Sequence, residues 1–289
     1  MAAMHRPRRS VLYMPGSNAR ALEKAKSLPA DGLILDLEDA VAPDAKEQAR
    51  AQVLDALRQG GFGRRELVVR VNGLDTPWGH ADLVAAATSG ADAVLIPKVE
   101  SAESVRQADR ILREAGAPDP LALWVMMETA MGMLNAKDIA GASPRLACLV
   151  MGTSDLAKEL HAAHTPLRLP MVTALGLSLL AARAHGLAIL DGVHLDLEDE
   201  AGLEAACRQG RELGFDGKTL IHPKQLDAAN RAFAPSDAEL AAARRIIAAH
   251  AEAAASGKGV VVVDGRLVEA LHVAEARRTV ALAEAIGDA

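Results

Sequence analysis

The stretch GLILDLEDAVAPDAKEQARAQVLDALRQGGFGRRELVVRV, residues 32–71, contains one full unit of the pattern that decides the fold. An apolar run at Gly32–Leu37 is followed by an acidic turn, an Ala-rich stretch of helical period and a second apolar run at Leu67–Val71. Near-continuous apolar strands joined by an amphipathic helix are typical of parallel sheets that are covered by helices. This stretch therefore predicts a strand, a crossover helix and a parallel strand.

The same alternation continues along the chain. Eight short runs rich in Val, Ile and Leu recur, each followed by a turn signal and an amphipathic, Ala-rich stretch. The runs are Ser10–Met14, Gly32–Leu37, Leu67–Val71, Ala93–Pro97, Ala122–Met127, Ala147–Met151, Leu187–Gly192 and Lys218–His222. Eight successive βα units favour a closed (β/α)8 barrel, the TIM barrel, over an open α/β sheet of about five to seven strands. We expect this barrel over residues 1–233 and a C-terminal extension over residues 234–289.

The C-terminal extension is predicted to fold as a helix, a hairpin and a second helix. Ser236 and Glu239 have the spacing of a capping box at the start of a long Ala-rich helix. Gly257–Glu269 has the pattern of a hairpin that turns at Asp264-Gly265, and a final helix is expected over Ala270–Ile286. Because the extension is too small to bury a core of its own, we expect it to dock on its own barrel or on a neighbouring subunit.

Composition and charge limit the functional classes. The chain has 289 residues, a formal net charge of −6 and no basic tract beyond Arg6–Arg9, so nothing indicates a nucleic-acid-binding surface. Cys148 and Cys207 lack the C-x-x-C spacing of zinc and redox sites. The basic N-terminus is not followed by an apolar stretch of signal-peptide length, and no window approaches the roughly 18 apolar residues of a membrane span. We therefore expect a cytoplasmic protein without a membrane partner.

Acidic residues follow several predicted strands, at the end of the barrel where TIM-barrel enzymes carry their active sites. A cluster of carboxylates without Cys and without a His-x-x-x-His pair suits Mg²⁺ or Mn²⁺ rather than zinc. Glu128 and Asp155 are the expected metal ligands, because each follows an apolar strand and adjacent strands bring such groups together. Asp36, Glu38 and Asp39 are expected to accept hydrogen bonds from metal-bound water. Taken singly, each acid has an alternative role as a helix cap or as the partner of a surface lysine.

Arg70 is the one arginine at the end of a wholly apolar strand. A buried guanidinium without a partner is costly, so we expect Arg70 to meet an anion. That anion is either a substrate carboxylate or developing enolate oxygen, or it is Glu38 or Asp39 in a permanent ion pair.

Lys98 and two histidines also follow predicted strands. We interpret Lys98 as a solvated or ion-paired lysine rather than a Schiff-base lysine, because nothing near it in the sequence indicates a lowered pKa. His194 and His222 are predicted to be satisfied hydrogen-bonding groups rather than general bases or metal ligands.

Motifs spread over almost the whole chain carry a family resemblance. They are RRSVLYMPGSNARALEKA from Arg8, ADGLILDLEDAVAPDAKEQAR from Ala30, VVRVNGLDTPWG from Val68, LIPKVES from Leu95, METAMGMLNAKDIA from Met127, MGTSDLAKEL from Met151, ILDGVHLDLED from Ile189 and LGFDGKTLIHPKQ from Leu213. Together they resemble the HpcH/HpaI aldolase and citrate lyase superfamily. Within it they are similar to the citrate lyase β-subunit-like branch, which includes malyl-CoA and citramalyl-CoA lyases.

The resemblance implies an enzyme that is a carbon–carbon lyase. It implies a β/α barrel with Mg²⁺ on Glu128 and Asp155, and an Arg70 that binds the oxygens of the acid substrate. The implied reaction cleaves a 3-hydroxyacyl-CoA thioester such as malyl-CoA, citramalyl-CoA or citryl-CoA into acetyl-CoA and a 2-oxo acid, or runs in reverse. In that reaction the metal would polarise the oxo acid, and Arg70 would also steady the thioester enolate.

The resemblance also implies where CoA lies and how the chain assembles. The nucleotide part of CoA is expected across the barrel mouth, near Tyr13 and Pro15 and near Arg20 and Lys24 on the following helix. An exposed basic helix face is, however, usually only solvated surface. The resemblance further implies a homotrimer.

The tail departs from the family pattern. Relatives carry an Asp in a Gly-x-Met-Ile/Val-Asp stretch that reaches the neighbouring subunit's site as an acid/base, whereas Gly265–Glu269 ends in Glu. Either Glu269 does the same work, or the tail has drifted and catalysis on acetyl-CoA is impaired, since a displacement of about 1 Å can cost about a hundredfold in rate. Two alternatives to a CoA-thioester lyase therefore stay open. One is a class II aldolase on free 2-oxo acids, and the other is a non-catalytic β-subunit-like partner of acyl-carrier and transferase subunits.

Overall fold

The eight apolar runs form eight parallel strands that close into a barrel. The computed structural model describes residues 6–255 and 260–287. The strands, in order around the barrel, are β1 (Ser10–Pro15), β2 (Gly32–Asp36), β3 (Glu66–Arg70), β4 (Ala93–Ile96), β5 (Ala122–Met127), β6 (Leu146–Met151), β7 (Ala188–Asp191) and β8 (Gly217–Leu220). Ser10 of β1 pairs with Lys218 of β8, which closes the sheet. The predicted (β/α)8 barrel is confirmed.

Helices connect successive strands and cover the barrel. They are α1 (Ala19–Ala25), α2 (Lys46–Gln59), α3 (Gly79–Ala87), α4 (Ala102–Glu114), α5 (Ala130–Leu134), α6 (Ala136–Ala140), α7 (Thr153–Glu159), α8 (Val172–Ala184), α9 (Glu200–Leu213) and α10 (Leu226–Phe233). Side chains cap several of their N-termini; Asn18 accepts a hydrogen bond from the backbone of α1, and Ser101 does so for α4. Within residues 6–255 and 260–287, the structure contains no helix with both the length and the apolar character that crossing a membrane requires.

The barrel interior is filled by alternate residues of the strands, while the intervening residues pack against the helices. Val11 and Val68 belong to the interior cluster, which includes the fully buried Trp124. Because the side-chain period of a strand is two residues, Tyr13 and Arg70 lie on the same inward-facing side, one step nearer the C-terminal end of the barrel. The packing of the interior therefore directs these two polar side chains into the barrel mouth.

The chain divides into two compact units, one of which is Arg8–Phe233 and the other of which contains the C-terminal elements. These elements are α11 (Asp237–Ala255), β9 (Val261–Val263), β10 (Arg266–Val268) and α12 (Ala270–Gly287). The strands β9 and β10 pair antiparallel around Asp264 and Gly265, whose φ angles of 49° and 76° suit a tight hairpin turn. The hairpin and both helices are confirmed, although residues 257–259 of the predicted hairpin lie outside the described residues.

Candidate active site

Arg70 lies at the centre of a polar cluster at the C-terminal ends of β2 and β3. Asp36 and Arg70 are register partners on these two adjacent strands, so their side chains lie side by side on the inward face. The Asp36 carboxylate accepts two hydrogen bonds from the guanidinium, from Nε to Oδ1 at 2.7 Å and from Nη2 to Oδ2 at 2.6 Å. This bidentate pair is buried, with Asp36 only 1% exposed. Asp36 therefore fixes the orientation of Arg70.

Two further acids approach the third nitrogen of Arg70. Its Nη1 lies 2.9 Å from Oε2 of Glu38 and 3.6 Å from Oδ2 of Asp39. The ion-pair alternative for Arg70 is thus what the structure shows, but the principal partner is Asp36 rather than Glu38 or Asp39. Burial raises the pKa of Glu38, and the adjacent Arg70 opposes that rise. The cluster consequently contains more negative than positive charge around one guanidinium.

Tyr13 covers the guanidinium from the side of β1. The carbon at the centre of the Arg70 guanidinium lies 4.8 Å from the centre of the Tyr13 ring, within the range of a cation–π contact. The phenol donates a hydrogen bond to Sδ of Met126 at 3.4 Å. Burial raises the pKa of Tyr13, so the phenol is neutral at physiological pH. Tyr13 therefore holds Arg70 in place from a direction that no carboxylate occupies.

Glu128 follows β5 directly and is a buried carboxylate, 3% exposed. Its Oε1 accepts a hydrogen bond from the backbone N–H of Lys98 at 2.7 Å, and within the described ranges it forms no ion pair. Burial raises the pKa of Glu128 to about 7, although the N–H of Lys98 opposes the rise. A buried carboxylate without a cationic partner is costly, and a bound cation would relieve that cost.

Lys98 is the residue that connects the acids of the cluster. Its ammonium lies 2.5 Å from Oε1 of Glu38, 3.9 Å from Oδ1 of Asp39 and 4.0 Å from Oδ2 of Asp155. Its backbone has a φ of 51°, in the left-handed region, and this conformation accompanies the hydrogen bond of its N–H to Glu128. The predicted ion-paired lysine agrees with these contacts. The backbone contact to Glu128 was not foreseen, because no sequence signal marks a positive φ at a lysine.

The donor set of this cluster fits a hard divalent cation. Asp155 lies in the first turn of α7 with a side chain that is 40% exposed, so it faces both the cluster and solvent. Asp36, Glu38, Asp39, Glu128 and Asp155 supply five carboxylates against the two cations Arg70 and Lys98. Among the residues that the structure describes, no group of three or more His, Cys, Asp or Glu is arranged to hold a metal ion. A cation bound by two carboxylates, with water and substrate as its other ligands, is the usual arrangement for Mg²⁺.

Lys46 supports the acidic turn that follows β2, a role that the sequence did not predict. Its ammonium is buried and donates hydrogen bonds to the backbone oxygens of Leu37 at 2.9 Å and Glu38 at 2.7 Å. Burial lowers the pKa of Lys46, while Glu38 and Asp36 act in the opposite direction. The first residue of an amphipathic helix gives no sequence signal for such a role.

Of the remaining predicted residues, three are on β1 and α1 and one is in the C-terminal unit. Pro15 ends β1 as the register partner of Asp36, and Arg20 and Lys24 are exposed on α1. In the C-terminal unit Glu269 is exposed, and its backbone N–H donates to Nδ1 of His272 at 3.0 Å. The roles of these four residues toward substrate stay predictions.

The two histidines differ. His222 accepts a hydrogen bond from the backbone N–H of Lys224 and so is satisfied, as predicted. For His194 the prediction is wrong, because its Nε2 is buried without a hydrogen-bond partner among the described residues and lies 3.9 Å from Oδ2 of Asp199. Whether each histidine finds a hydrogen-bond partner depends on the conformation of the loop that contains it, which the sequence pattern does not predict.

Gly152, the residue before α7, provides a direct test of how Glu128 is held. A Cβ at this position would overlap both Cβ and Oε2 of Glu128, so Gly152→Ala is expected to displace the carboxylate. We expect catalytic activity to fall by about a hundredfold, the cost of a misplacement of roughly 1 Å. Gly176→Ala is the control, because a Cβ there meets nothing within 4 Å. Turnover rates and circular dichroism spectra of both variants check the prediction, and an unchanged rate in Gly152→Ala would contradict it.

Comparisons with known proteins identify the family. A family model described as HpcH/HpaI aldolase/citrate lyase matches residues 9–223. The chain is 58% identical over 286 residues to a (3S)-malyl-CoA thioesterase of Cereibacter sphaeroides, covering 99% of this chain and 98% of that protein. It is 37% identical over 305 residues to an L-malyl-CoA/beta-methylmalyl-CoA lyase of the same species, covering 97% and 96%. The structure of protein CitE from Mycobacterium tuberculosis in complex with magnesium, acetoacetate and coenzyme A matches with a TM-score of 0.74 and 31% identity, over 98% of this chain and 100% of that chain.

Proposed function

The chain belongs to the HpcH/HpaI aldolase/citrate lyase family, a family of enzymes, and from this premise we propose that it is a Mg²⁺-dependent hydrolase of (3S)-malyl-CoA or a closely related 3-hydroxyacyl-CoA thioester. The observation that carries the proposal is the 58% identity to a (3S)-malyl-CoA thioesterase over nearly the full length of both chains. In the proposed reaction, water adds to the thioester carbonyl and the C–S bond breaks. The products are malate and the free thiol of CoA, which takes up the proton.

The acidic cluster supports the metal requirement. Glu128 and Asp155 would hold the Mg²⁺, because Glu128 is buried without a cationic partner and Asp155 opens to solvent on the other side. When bound, Mg²⁺ supplies Lewis-acid polarisation of the oxygens of the hydroxy-acid end of the substrate. The similar CitE structure also contains magnesium together with a small acid and coenzyme A.

Arg70 would orient the substrate carboxylate beside this site. A guanidinium has five N–H groups. Two of those of Arg70 donate to Asp36, and Nη1 faces Glu38 at 2.9 Å and Asp39 at 3.6 Å, so the second N–H on Nη2 is left for a ligand. Because Asp36 and Tyr13 fix the plane of the guanidinium, this donor is already directed before substrate binds. Glu38 and Asp39 are placed to accept hydrogen bonds from ordered water near the carboxylate.

Product analysis tests the proposal. Purified full-length protein is incubated with (3S)-malyl-CoA and Mg²⁺ in water enriched in ¹⁸O. The products are then separated, and their masses are determined by mass spectrometry. Hydrolysis is expected to give equal amounts of CoA and malate, with one ¹⁸O atom in the new carboxylate, and EDTA is expected to stop it. Absence of thioester consumption with Mg²⁺ present would contradict the proposal.

Carbon–carbon cleavage is the second candidate, and the 37% identity to an L-malyl-CoA/beta-methylmalyl-CoA lyase favours it. In that reaction the hydroxyl of the substrate loses a proton and the adjacent C–C bond breaks. The electron pair passes to the thioester enolate, which takes up a proton to become acetyl-CoA, while glyoxylate leaves. Arg70 has the charge needed to stabilise that enolate. Acetyl-CoA and glyoxylate as the products of the same assay would replace the first proposal with this one.

For Glu269 we propose the acid/base role in the site of a neighbouring copy, within a homotrimer. Glu269 stands where relatives carry an Asp and keeps the carboxylate, which supports this role, as does the exposure of Glu269 in the C-terminal unit. Glu269→Gln and Glu128→Gln are each expected to be inactive, whereas refolding the two variants together is expected to restore about a quarter of the sites, and turnover of the mixture measures this. A mixture as inactive as its parents would contradict a role across subunits, and full activity of Glu269→Gln alone would remove Glu269 from catalysis.

A further inference from the structure

Lys98 contacts four of the five acids of the cluster, through two separate groups. Its backbone N–H binds Glu128 at 2.7 Å, whereas its ammonium reaches Glu38 at 2.5 Å, Asp39 at 3.9 Å and Asp155 at 4.0 Å. The four carboxylates follow three different strands, β2, β5 and β6. A single residue that follows a fourth strand therefore connects these four acids.

A divalent cation on Glu128 and Asp155 would share Asp155 with the ammonium of Lys98. Mg²⁺ binds carboxylate oxygens at about 2.0–2.1 Å. A cation on Asp155 would therefore lie within a few Å of the ammonium, which is 4.0 Å from Oδ2 of that residue. Repulsion between a single and a double positive charge at about 5 Å is enough to weaken binding by roughly tenfold even at the dielectric constant of water. Lys98 and the metal ion therefore weaken each other's binding to the cluster.

The two parts of Lys98 also differ in how firmly they are held. The backbone is fixed by its left-handed conformation and by the hydrogen bond to Glu128. The side chain is 48% exposed on a flexible four-carbon stem, so the ammonium has room to move into solvent.

We propose that Lys98 is an internal cation that sets the affinity of the site for divalent metal ions. Its ammonium offsets part of the negative charge of Glu38, Asp39 and Asp155 and moves away from Asp155 when a divalent cation binds, while its backbone N–H keeps Glu128 in position throughout. This inference rests on the proposed function only in assuming that Glu128 and Asp155 bind a divalent cation. Lys98 is thus a positioning residue that makes metal binding weaker and reversible.

Mn²⁺ binding to the full-length protein without substrate tests the inference. Lys98→Met removes the charge but keeps the backbone donor, and we expect the dissociation constant for Mn²⁺ to fall by about tenfold. Lys98→Arg keeps the charge and is expected to stay within about threefold of wild type. Lys224→Met is the matched control. The Lys224 side chain is similarly exposed, at 39%, and its ammonium lies 2.7 Å from Glu198, which does not belong to the cluster. Calorimetry or the electron paramagnetic resonance signal of free Mn²⁺ gives the constants.

The outcomes separate this inference from the proposed function. Unchanged or weaker Mn²⁺ binding by a folded Lys98→Met would overturn the role of Lys98 and leave the metal site intact. Absence of Mn²⁺ binding by the wild type would overturn both the metal site and this inference.

A second measurement needs no variant, in case Lys98→Met does not fold. Acetylation of Lys98 in the wild type, followed by peptide mass spectrometry, is expected to become faster when Mg²⁺ is added, relative to Lys224 in the same digest. A rate that stays the same or becomes slower with Mg²⁺ would overturn the displacement of the ammonium.

Discussion

Glu128→Gln is expected to abolish Mn²⁺ binding and to lower kcat/KM for the thioester by about a thousandfold, because several kcal/mol of Lewis-acid stabilisation are lost with the metal. Glutamine keeps the shape of the side chain and can still accept the N–H of Lys98, so the loop geometry is retained. Calorimetric titration with Mn²⁺ and steady-state kinetics measure the two effects. Activity within tenfold of wild type would remove Glu128 from the metal site.

Although Glu128→Gln is expected to abolish metal binding, it is expected to stabilise the metal-free protein above neutral pH. The pKa of Glu128 is about 7 in the folded protein and 4.5 in its ordinary state, so ionisation costs more in the folded than in the unfolded chain. The cost is fully present above the folded pKa of about 7 and disappears below 4.5. In EDTA, Glu128→Gln is therefore expected to raise the Tm at about pH 8 and to have little effect at about pH 4. Glu103→Gln, which alters an exposed pair with Arg106, is the control and is expected to change neither value.

Asp36→Ala is expected to have the largest effect on folding. It removes the bidentate partner of Arg70 and leaves a buried guanidinium with fewer acceptors, which typically costs about 3–5 kcal/mol. Urea unfolding monitored by circular dichroism measures the free energy of unfolding. We also expect loss of substrate turnover, because Arg70 is no longer held in one plane.

Asp55→Ala is the matched control for Asp36→Ala. Asp55 also pairs with an arginine, Arg58, but both side chains are more than half exposed. An exposed ion pair contributes about 0–1 kcal/mol, so we expect little change in this variant. Equal destabilisation of the two variants would contradict the view that burial gives the Asp36–Arg70 pair its weight. Arg70→Met in the Asp36→Ala background is expected to recover part of the loss, because the unpaired charge is then gone.

The strands and the hairpin followed from the sequence because local patterns determine them. Apolar runs bounded by turn signals located β1 to β8 within one or two residues, and Asp264-Gly265 identified the turn of the hairpin. The position of Glu128 at the end of β5 also followed, since it depends only on where an apolar run ends.

The partners of the site residues did not follow, because they depend on register and loop conformation. Arg70 pairs with Asp36 since the two residues are opposite each other in the β2–β3 ladder, and no local pattern gives the stagger between strands. Lys98 reaches Glu128 through a left-handed backbone that lysine rarely adopts. The sequence motifs predicted carbon–carbon cleavage and did not indicate hydrolysis. The reason is that these motifs describe how the acid and the metal are bound, not which bond of the substrate breaks.

The contact between Tyr13 and Arg70 has a practical consequence, because Tyr13 is the single tyrosine of the chain. Protein expressed with fluorotyrosine in place of tyrosine contains one fluorine atom, located at the barrel mouth. Its ¹⁹F nuclear magnetic resonance spectrum holds one signal and needs no assignment. The chemical shift of that signal then reports directly on the charge and solvent around the guanidinium as metal ion or thioester is added. A chain with so few aromatic residues thus carries its own spectroscopic label at the site of interest.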